Sequence, residues 1–234
     1  MTDPRKLLAR LNPQQARYEI GSGGCPEWTA QDIAAALGMV RNLLGREILC
    51  HVWWPDGAAL TRDGLLEHLR DLQLGEWITR ARRLECALLA EHLAAELADD
   101  KHGPMGATLH QARRDLAEAR AATWPRLGPH SLYRAIRCAV LNEILDPHLC
   151  AQCGGTGSCM LRTLLVPCGA CKGSGHSKAS DAARARSLGR DAKTYCTTWR
   201  DPYEWLLDLC ATAERAAGHQ LAAALGMEAS QKRA

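Results

Sequence analysis

Four cysteines carry the plainest chemistry in the chain. Cys150-Ala-Gln-Cys153-Gly-Gly155-Thr-Gly157 is followed, after 14 residues from Cys153, by Cys168-Gly-Ala-Cys171-Lys-Gly173-Ser-Gly175, so each half reads Cys-x-x-Cys-x-Gly-x-Gly. A Cys-x-x-Cys turn can place both thiolates on one metal, and two such turns complete a tetrahedron of sulfurs. The glycines let backbone amides fold closely around the sulfurs. A closed four-sulfur site leaves no position for a reacting water, so the expected cofactor is one structural Zn2+ held by Cys150, Cys153, Cys168 and Cys171. A redox pair is the other chemistry open to them. His148, Cys159 and His176 flank the site and could substitute as ligands, and Met160 to Val166 could form a short hairpin between the pairs.

The segment that follows is basic. From Cys150 to Arg200 there are eight Lys and Arg residues against Asp181 and Asp191, a balance of +6, which leaves the rest of the chain at −3. Such a segment is the footprint of an anionic partner, most often nucleic acid. Within it, Ala185, Leu188, Gly189, Tyr195 and Trp199 have the spacing of two helices joined by a tight turn, with Asp191 placed to cap the second. A helix-turn-helix over about residues 180–200 is expected. Its second helix would present Arg190, Lys193, Thr194, Thr197, Thr198 and Arg200, with Lys178 and Arg186 beside them, to phosphates and base edges. Any antiparallel helix pair with a glycine turn can imitate this pattern.

The elements that must position these residues read as helices. Thr29 is available as a cap, and Ile33, Leu37, Val40, Leu44 and Ile48 then recur at helical spacing. Pro55-Asp56-Gly57 makes a turn, and further helices are expected over Arg62–Gln73, Glu76–Leu97, Ala107–Ala122 and Ser131–Leu145, where Asp146-Pro147 stops the run. No stretch before Cys150 alternates with period two. The expected fold is therefore mainly α: a flexible arm over 1–30, a helical body over 31–128, a DNA-binding region over 129–220 with the zinc ribbon at 148–177, and a frayed tail over 221–234. Trp205, Leu206 and Leu209 should be core.

Composition supports an ordinary globular protein. The chain has 234 residues, 47% hydrophobic and 24% charged, with seven Trp and no Phe. No apolar run approaches the roughly 18 residues of a membrane span, and Met1 to Arg10 lacks a signal-peptide core, so the cytoplasm is the expected compartment and disulfides are not expected. The other seven cysteines, Cys25, Cys50, Cys86, Cys138, Cys159, Cys196 and Cys210, read as small buried hydrophobes. An enzyme is not expected, since the chain has no phosphate-binding Gly-Lys-Ser/Thr loop and no nucleophile motif, and Glu85, Glu91, Glu96 and His92 read as a solvated helix face.

Two families resemble parts of the chain. The cysteine repeat, over 26 residues, is similar to the zinc-binding region of DnaJ-type co-chaperones, although no His-Pro-Asp loop of a J domain is present. That likeness implies a chaperone or protein-binding module. A broader likeness rests on Cys150–Gly157, on Cys168–Ser177 with the following Ser180-Asp-Ala-Ala, on Trp199 with Pro202-Tyr203 to Cys210, and on Asp32-Ile-Ala-Ala-Ala-Leu-Gly-Met39. Together these resemble the antitermination protein Q family of lambdoid bacteriophages. The resemblance implies a zinc ribbon joined to a helix-turn-helix that binds double-stranded DNA near the phage late promoter. It further implies engagement of the host bacterial RNA polymerase and its sigma factor at a promoter-proximal pause, and read-through of terminators by action at the RNA exit channel near nascent RNA. The helical body over 31–128, especially 31–97, would then face the polymerase.

Overall fold

The computed structural model describes residues 8–9, 11, 28–98, 105–125, 132–145, 150, 152–153, 156–161, 164–172 and 177–226. The fold is mainly helical. His148, His176, Cys25, Arg162, four of the glycines around the cysteines (154, 155, 173 and 175), the stop expected at Asp146-Pro147, and the tail beyond 226 lie outside the described residues.

Helix α1 (Ala30–Gly38) begins with a reciprocal cap: the Asp32 amide donates to the Thr29 hydroxyl while the Thr29 amide donates to the Asp32 carboxylate at 2.8 Å. The apolar periodicity from Ile33 to Ile48 does not make one helix. Chain between Gly38 and Asn42 is non-helical, and Asn42 starts α2 (Leu43–Trp53) by accepting from the Gly45 amide at 2.9 Å. The free amides of Arg41 and Asn42 donate to the Gln220 side chain, so a distant helix satisfies the break. After a single 3-10 turn at Pro55–Gly57, the buried Glu47 carboxylate accepts from the Ala59 and Leu60 amides at 2.9 and 2.8 Å and holds the turn down on α2.

Two helices expected over Arg62–Gln73 and Glu76–Leu97 are one, α3 (Arg62–Ala98). Gly75 does not break it; the position faces open space, and its carbonyl accepts from the Thr79 hydroxyl one turn on. The cost of a helical glycine, about 1 kcal/mol, is small against the backbone hydrogen bonds of a 37-residue helix. Helix α4 (Met105–Ala122) returns antiparallel along α3, and the Arg83–Glu118 and Arg113–Glu91 ion pairs, both 3.4 Å, mark the register. Helix α5 (Leu132–Leu145) buries Tyr133, Ile136, Val140 and Leu141.

Strands β1 (Ser158–Leu161) and β2 (Leu164–Pro167) form an antiparallel hairpin in the register Cys159 to Val166, as the spacing between the cysteine pairs predicts. Helix α6 (Asp181–Ser187) follows. The next helix starts at Ala192 as α7 (Ala192–Thr194) and does not end near residue 200; it passes through one π-type turn, Tyr195–Trp199, into α8 (Arg200–Ala224). Pro202 cannot donate to the carbonyl one turn back and its ring would crowd it, and the widened turn lies directly before it. A stripe of Tyr195, Trp199, Tyr203, Leu206, Cys210, Ala213, Ala217 and Leu221 then faces inward along the whole length.

That stripe organises two hydrophobic clusters. The larger gathers Ile48 from α2, Leu65 and Leu69 from α3, Ile136 and Val140 from α5 and Leu206 from α8. Each such side chain contributes roughly 1.5–3 kcal/mol by leaving water. It crosses the boundary drawn at residue 128, so the body and the basic region share one core. In the smaller cluster, Leu8 is buried with Ile33, Leu37, Leu49, Leu221 and Leu225. This corrects both terminal expectations: Leu8 of the supposed loose arm is core, and α8 runs on to Ala224 with Leu221 fully buried instead of fraying after Gln220. The reason is mutual cover, since each end buries apolar surface of the other, and Trp28 donates its indole N–H to the Leu225 carbonyl at 3.1 Å.

As expected, Leu206 is buried and Trp205 and Leu209 pack against the larger cluster. Trp124 and Trp199 are buried, with Trp124 edge-on to Trp205 at 5.1 Å. The scattered cysteines divide: Cys50 and Cys210 are core, with burial pushing their thiols up to about 11 and about 12, whereas Cys86 and Cys196 are exposed on helix surfaces. No described helix is long and apolar enough to cross a membrane.

Candidate metal centre and the adjoining helix pair

The four sulfurs converge. One thiol from each of Cys150, Cys153, Cys168 and Cys171 lies within 4.8 Å of the other three. Cys150 Sγ is 3.9 Å from Cys168 Sγ, and Cys153 Sγ is 3.7 Å from Cys171 Sγ. A disulfide would bring sulfurs to about 2.05 Å. A tetrahedron built on Zn–S bonds of about 2.3 Å has edges near 3.8 Å, which matches the spacing of these two pairs. The cluster can hold a metal ion.

Local backbone explains the convergence. In each half the first sulfur is met by amides from its own turn: those of Cys153 and Gln152 point at Cys150, and those of Cys171 and Ala170 point at Cys168. These amides favour the thiolates, yet burial and the neighbouring sulfurs outweigh them and hold both thiols above the ordinary range. A bound cation removes that penalty. The Gly157 amide donates to Cys153 Sγ at 3.3 Å, and the Gly157 carbonyl accepts from the Cys168 amide at 2.9 Å, tying the two halves together. Gly157 has φ 73°, a conformation that suits glycine. Lys172, directly after the last cysteine, takes φ 53° without being glycine.

Cys159 sits on β1, half-buried, its thiol 4.0 Å from the Gln152 carbonyl. It stands beside the cluster and outside the group of four.

The helix pair beyond the cluster is tightly made. Ser180 caps α6 by accepting from the Ala183 amide at 3.2 Å. At the other end, Arg190 N–H reaches back to the Ala185 carbonyl at 2.9 Å and Gly189 N–H to that of Arg186 at 3.0 Å, with Gly189 at φ 64°. This is a Schellman stop, and it needs a residue at ease in the left-handed region. Asp191 then caps α7 by accepting from the Thr194 amide at 2.9 Å, and the Thr194 hydroxyl together with this amide lowers its carboxyl pKa. Ala185, Leu188, Tyr195 and Trp199 are buried between the two helices and the body, as their spacing predicts.

The candidate contact residues fall into groups. Lys178, Arg186, Arg190 and Lys193 are exposed, with no carboxylate partner among the described residues. Thr197 and Thr198 are exposed, although the Thr197 hydroxyl donates back to the Lys193 carbonyl at 3.0 Å. Thr194 is half-buried. Arg200 is engaged with Asp181 and Glu204, which pins the start of α6 to α8.

Arg184 was legible only as a charge. It is 93% buried, donates to Glu143 through Nε and Nη2 at 3.0 and 2.7 Å, and stacks over Tyr203 with its Cζ 5.1 Å from the ring centre. Tyr203 donates to the same carboxylate at 2.8 Å. Glu85, Glu91, Glu96 and His92 lie along α3, His92 beside Glu96 at 3.2 Å and both exposed.

No family model matches the chain, and neither the curated proteins nor the solved structures include one that matches it.

Proposed function

We propose that the chain is a zinc-dependent, DNA-binding transcription antitermination factor of the lambdoid phage Q type. In this reading Cys150, Cys153, Cys168 and Cys171 hold one structural Zn2+. Helices α6 and α7 act as a helix-turn-helix, with Arg190 and Lys193 toward phosphates or base edges and Lys178 and Arg186 widening the cationic surface. What carries it is a juxtaposition within residues 150–200: four sulfurs close enough to share a metal ion, then a tightly turned helix pair with exposed cations that have no carboxylate partner among the described residues. The family resemblance supplies the late promoter as target and bacterial RNA polymerase with its sigma factor as partner.

Transcription by bacterial polymerase from a phage late promoter with a downstream terminator tests the function. Increased read-through on addition of the protein is expected, and unchanged termination overturns the reading. Mobility shifts over a salt series test the DNA step alone, because phosphate contacts make affinity fall steeply with salt. Arg190→Ala and Lys193→Ala should weaken binding and flatten that slope without changing helical circular dichroism.

A protein-binding module of the DnaJ type is the second reading. Met160 and Leu164, 67% and 71% exposed on the hairpin, favour it. It predicts suppressed aggregation of unfolded clients and no salt-sensitive DNA affinity.

A further inference from the structure

Helix α3 carries an apolar face that α4 leaves uncovered. Leu74, Ile78, Leu89, Leu93 and Leu97 are all exposed, Leu89 at 63% and Leu93 at 57%. Their spacings of four residues, with Arg82 and Glu85 between the two groups, put them along one side of the helix. The stripe spans about 35 Å at 1.5 Å per residue. A leucine row of this length on a water-facing helix marks an interaction surface.

The pattern is self-complementary. About a point between Glu85 and Cys86, Leu74 and Leu97 are equidistant, as are Ile78 and Leu93, and Arg82 and Leu89. A second copy of the same helix laid antiparallel along the first would therefore set apolar residues opposite apolar ones at both ends. In the middle, Arg82 of one copy would lie over Leu89 of the other, its stem covering the leucine, with its guanidinium one turn from the other's Glu85. Arg82 and Glu85 are exposed and form no ion pair with any described residue, unlike neighbouring Arg83, which meets Glu118, and Arg80, which meets Glu76 and Asp201. Unpaired opposite charges at the centre of a palindromic apolar stripe are what an isologous two-fold contact requires.

We infer that this face is a homodimer interface, formed by two copies of α3 packed antiparallel about Glu85 and Cys86, with Arg82 of each copy paired to Glu85 of the other. The occupant is a second copy because the charge arrangement complements itself under that rotation. Cys86, exposed and next to the axis, lies nearly level with its own counterpart. The inference rests on α3 alone and stands or falls apart from the DNA-binding reading.

Sedimentation velocity of the full chain across a concentration series is the first test, and a reversible monomer–dimer equilibrium is expected. Leu89→Glu and Leu93→Glu should shift it to monomer while helical circular dichroism stays unchanged. Arg82→Glu and Glu85→Arg should each weaken the dimer, and the double reversal should restore it, a result that mere loss of apolar area cannot give. Mild oxidation of the wild type should trap a covalent dimer that Cys86→Ser abolishes. A chain that stays monomeric at every concentration overturns the inference, as does a dimer indifferent to Leu89→Glu and to the charge reversals.

Discussion

Arg184 and Glu143 form a two-pronged ion pair beneath Tyr203, with the Arg184 side chain 7% and that of Glu143 15% exposed. A cation from the basic segment is thus spent on holding α6 against α5. Burial works against the Arg184 charge, but the hydrogen-bonded pairing with Glu143 outweighs it and drives the guanidinium pKa upward, so it stays charged throughout the working range. Glu143→Ala should therefore destabilise the fold by roughly 3 kcal/mol, because it leaves the buried guanidinium with only the more distant Glu204, at 3.6 Å. Arg186→Ala, two residues away and exposed, should change stability by less than about 0.5 kcal/mol while weakening DNA binding. Urea unfolding beside a mobility shift separates the two: equal losses of stability would mean that Arg184 is not buried in this way.

The sulfur cluster sets a second expectation. Cys153→Ser or Cys171→Ser removes one corner of the tetrahedron, and zinc content measured by mass spectrometry should fall from one equivalent per chain to a small fraction. Cys159→Ser should leave it intact. Equal zinc in all three variants would refute the ligand assignment.

Gly45 governs how closely α2 can approach α8. A β-carbon there would overlap the carbonyl oxygen of Ala213 and come 2.8 Å from Ala217 Cβ, and neither backbone can move aside without parting the helices. Gly45→Ala should cost about 1–3 kcal/mol as overpacking, although alanine is the better helix former. A thermal midpoint equal to or above that of the wild type would show that the helices do not cross so tightly.

Asp191 gives a pH signature. Its carboxyl pKa is lowered in the folded chain by the Thr194 hydroxyl and then the Thr194 amide, so folding favours the charged form. The resulting stabilisation is present above the unfolded value of about 3.9 and is lost as pH falls through the lower folded value. Asn caps a helix as well as Asp does. Asp191→Asn should therefore keep the fold at neutral pH and lessen the loss of thermal stability on acidification below pH 4. Identical acid profiles for the two proteins would show that the cap carries no charge-dependent contribution.

Gly189 is fixed by its φ of 64°, with open space where a β-carbon would stand. Gly189→Ala should cost about 1–2 kcal/mol from backbone strain alone. Gly75→Ala, in open space within regular helix, should stabilise by up to about 1 kcal/mol. Opposite signs of the two shifts in chemical denaturation are the check.

Local chemistry was readable from the residues themselves. The cysteine spacing placed four sulfurs together, Thr29 and Asp191 capped where their types predicted, and the hairpin formed between the cysteine pairs, because each depends on neighbours a few positions away. Longer-range outcomes were not. Whether the chain breaks after Gly38 turned on Gln220, far along the chain, satisfying the two free amides of Arg41 and Asn42. Arg184 looked like its exposed neighbours until α5 brought Glu143 to it, and Leu8 looked like part of a loose arm until α1, α2 and α8 enclosed it. The sequence by itself determined which residues could cap, turn or bind a metal, since those are short-range properties of side-chain chemistry. Only the tertiary structure decided which cations are free, which ends are core and which leucines remain in water, because burial is set by partners far away along the chain.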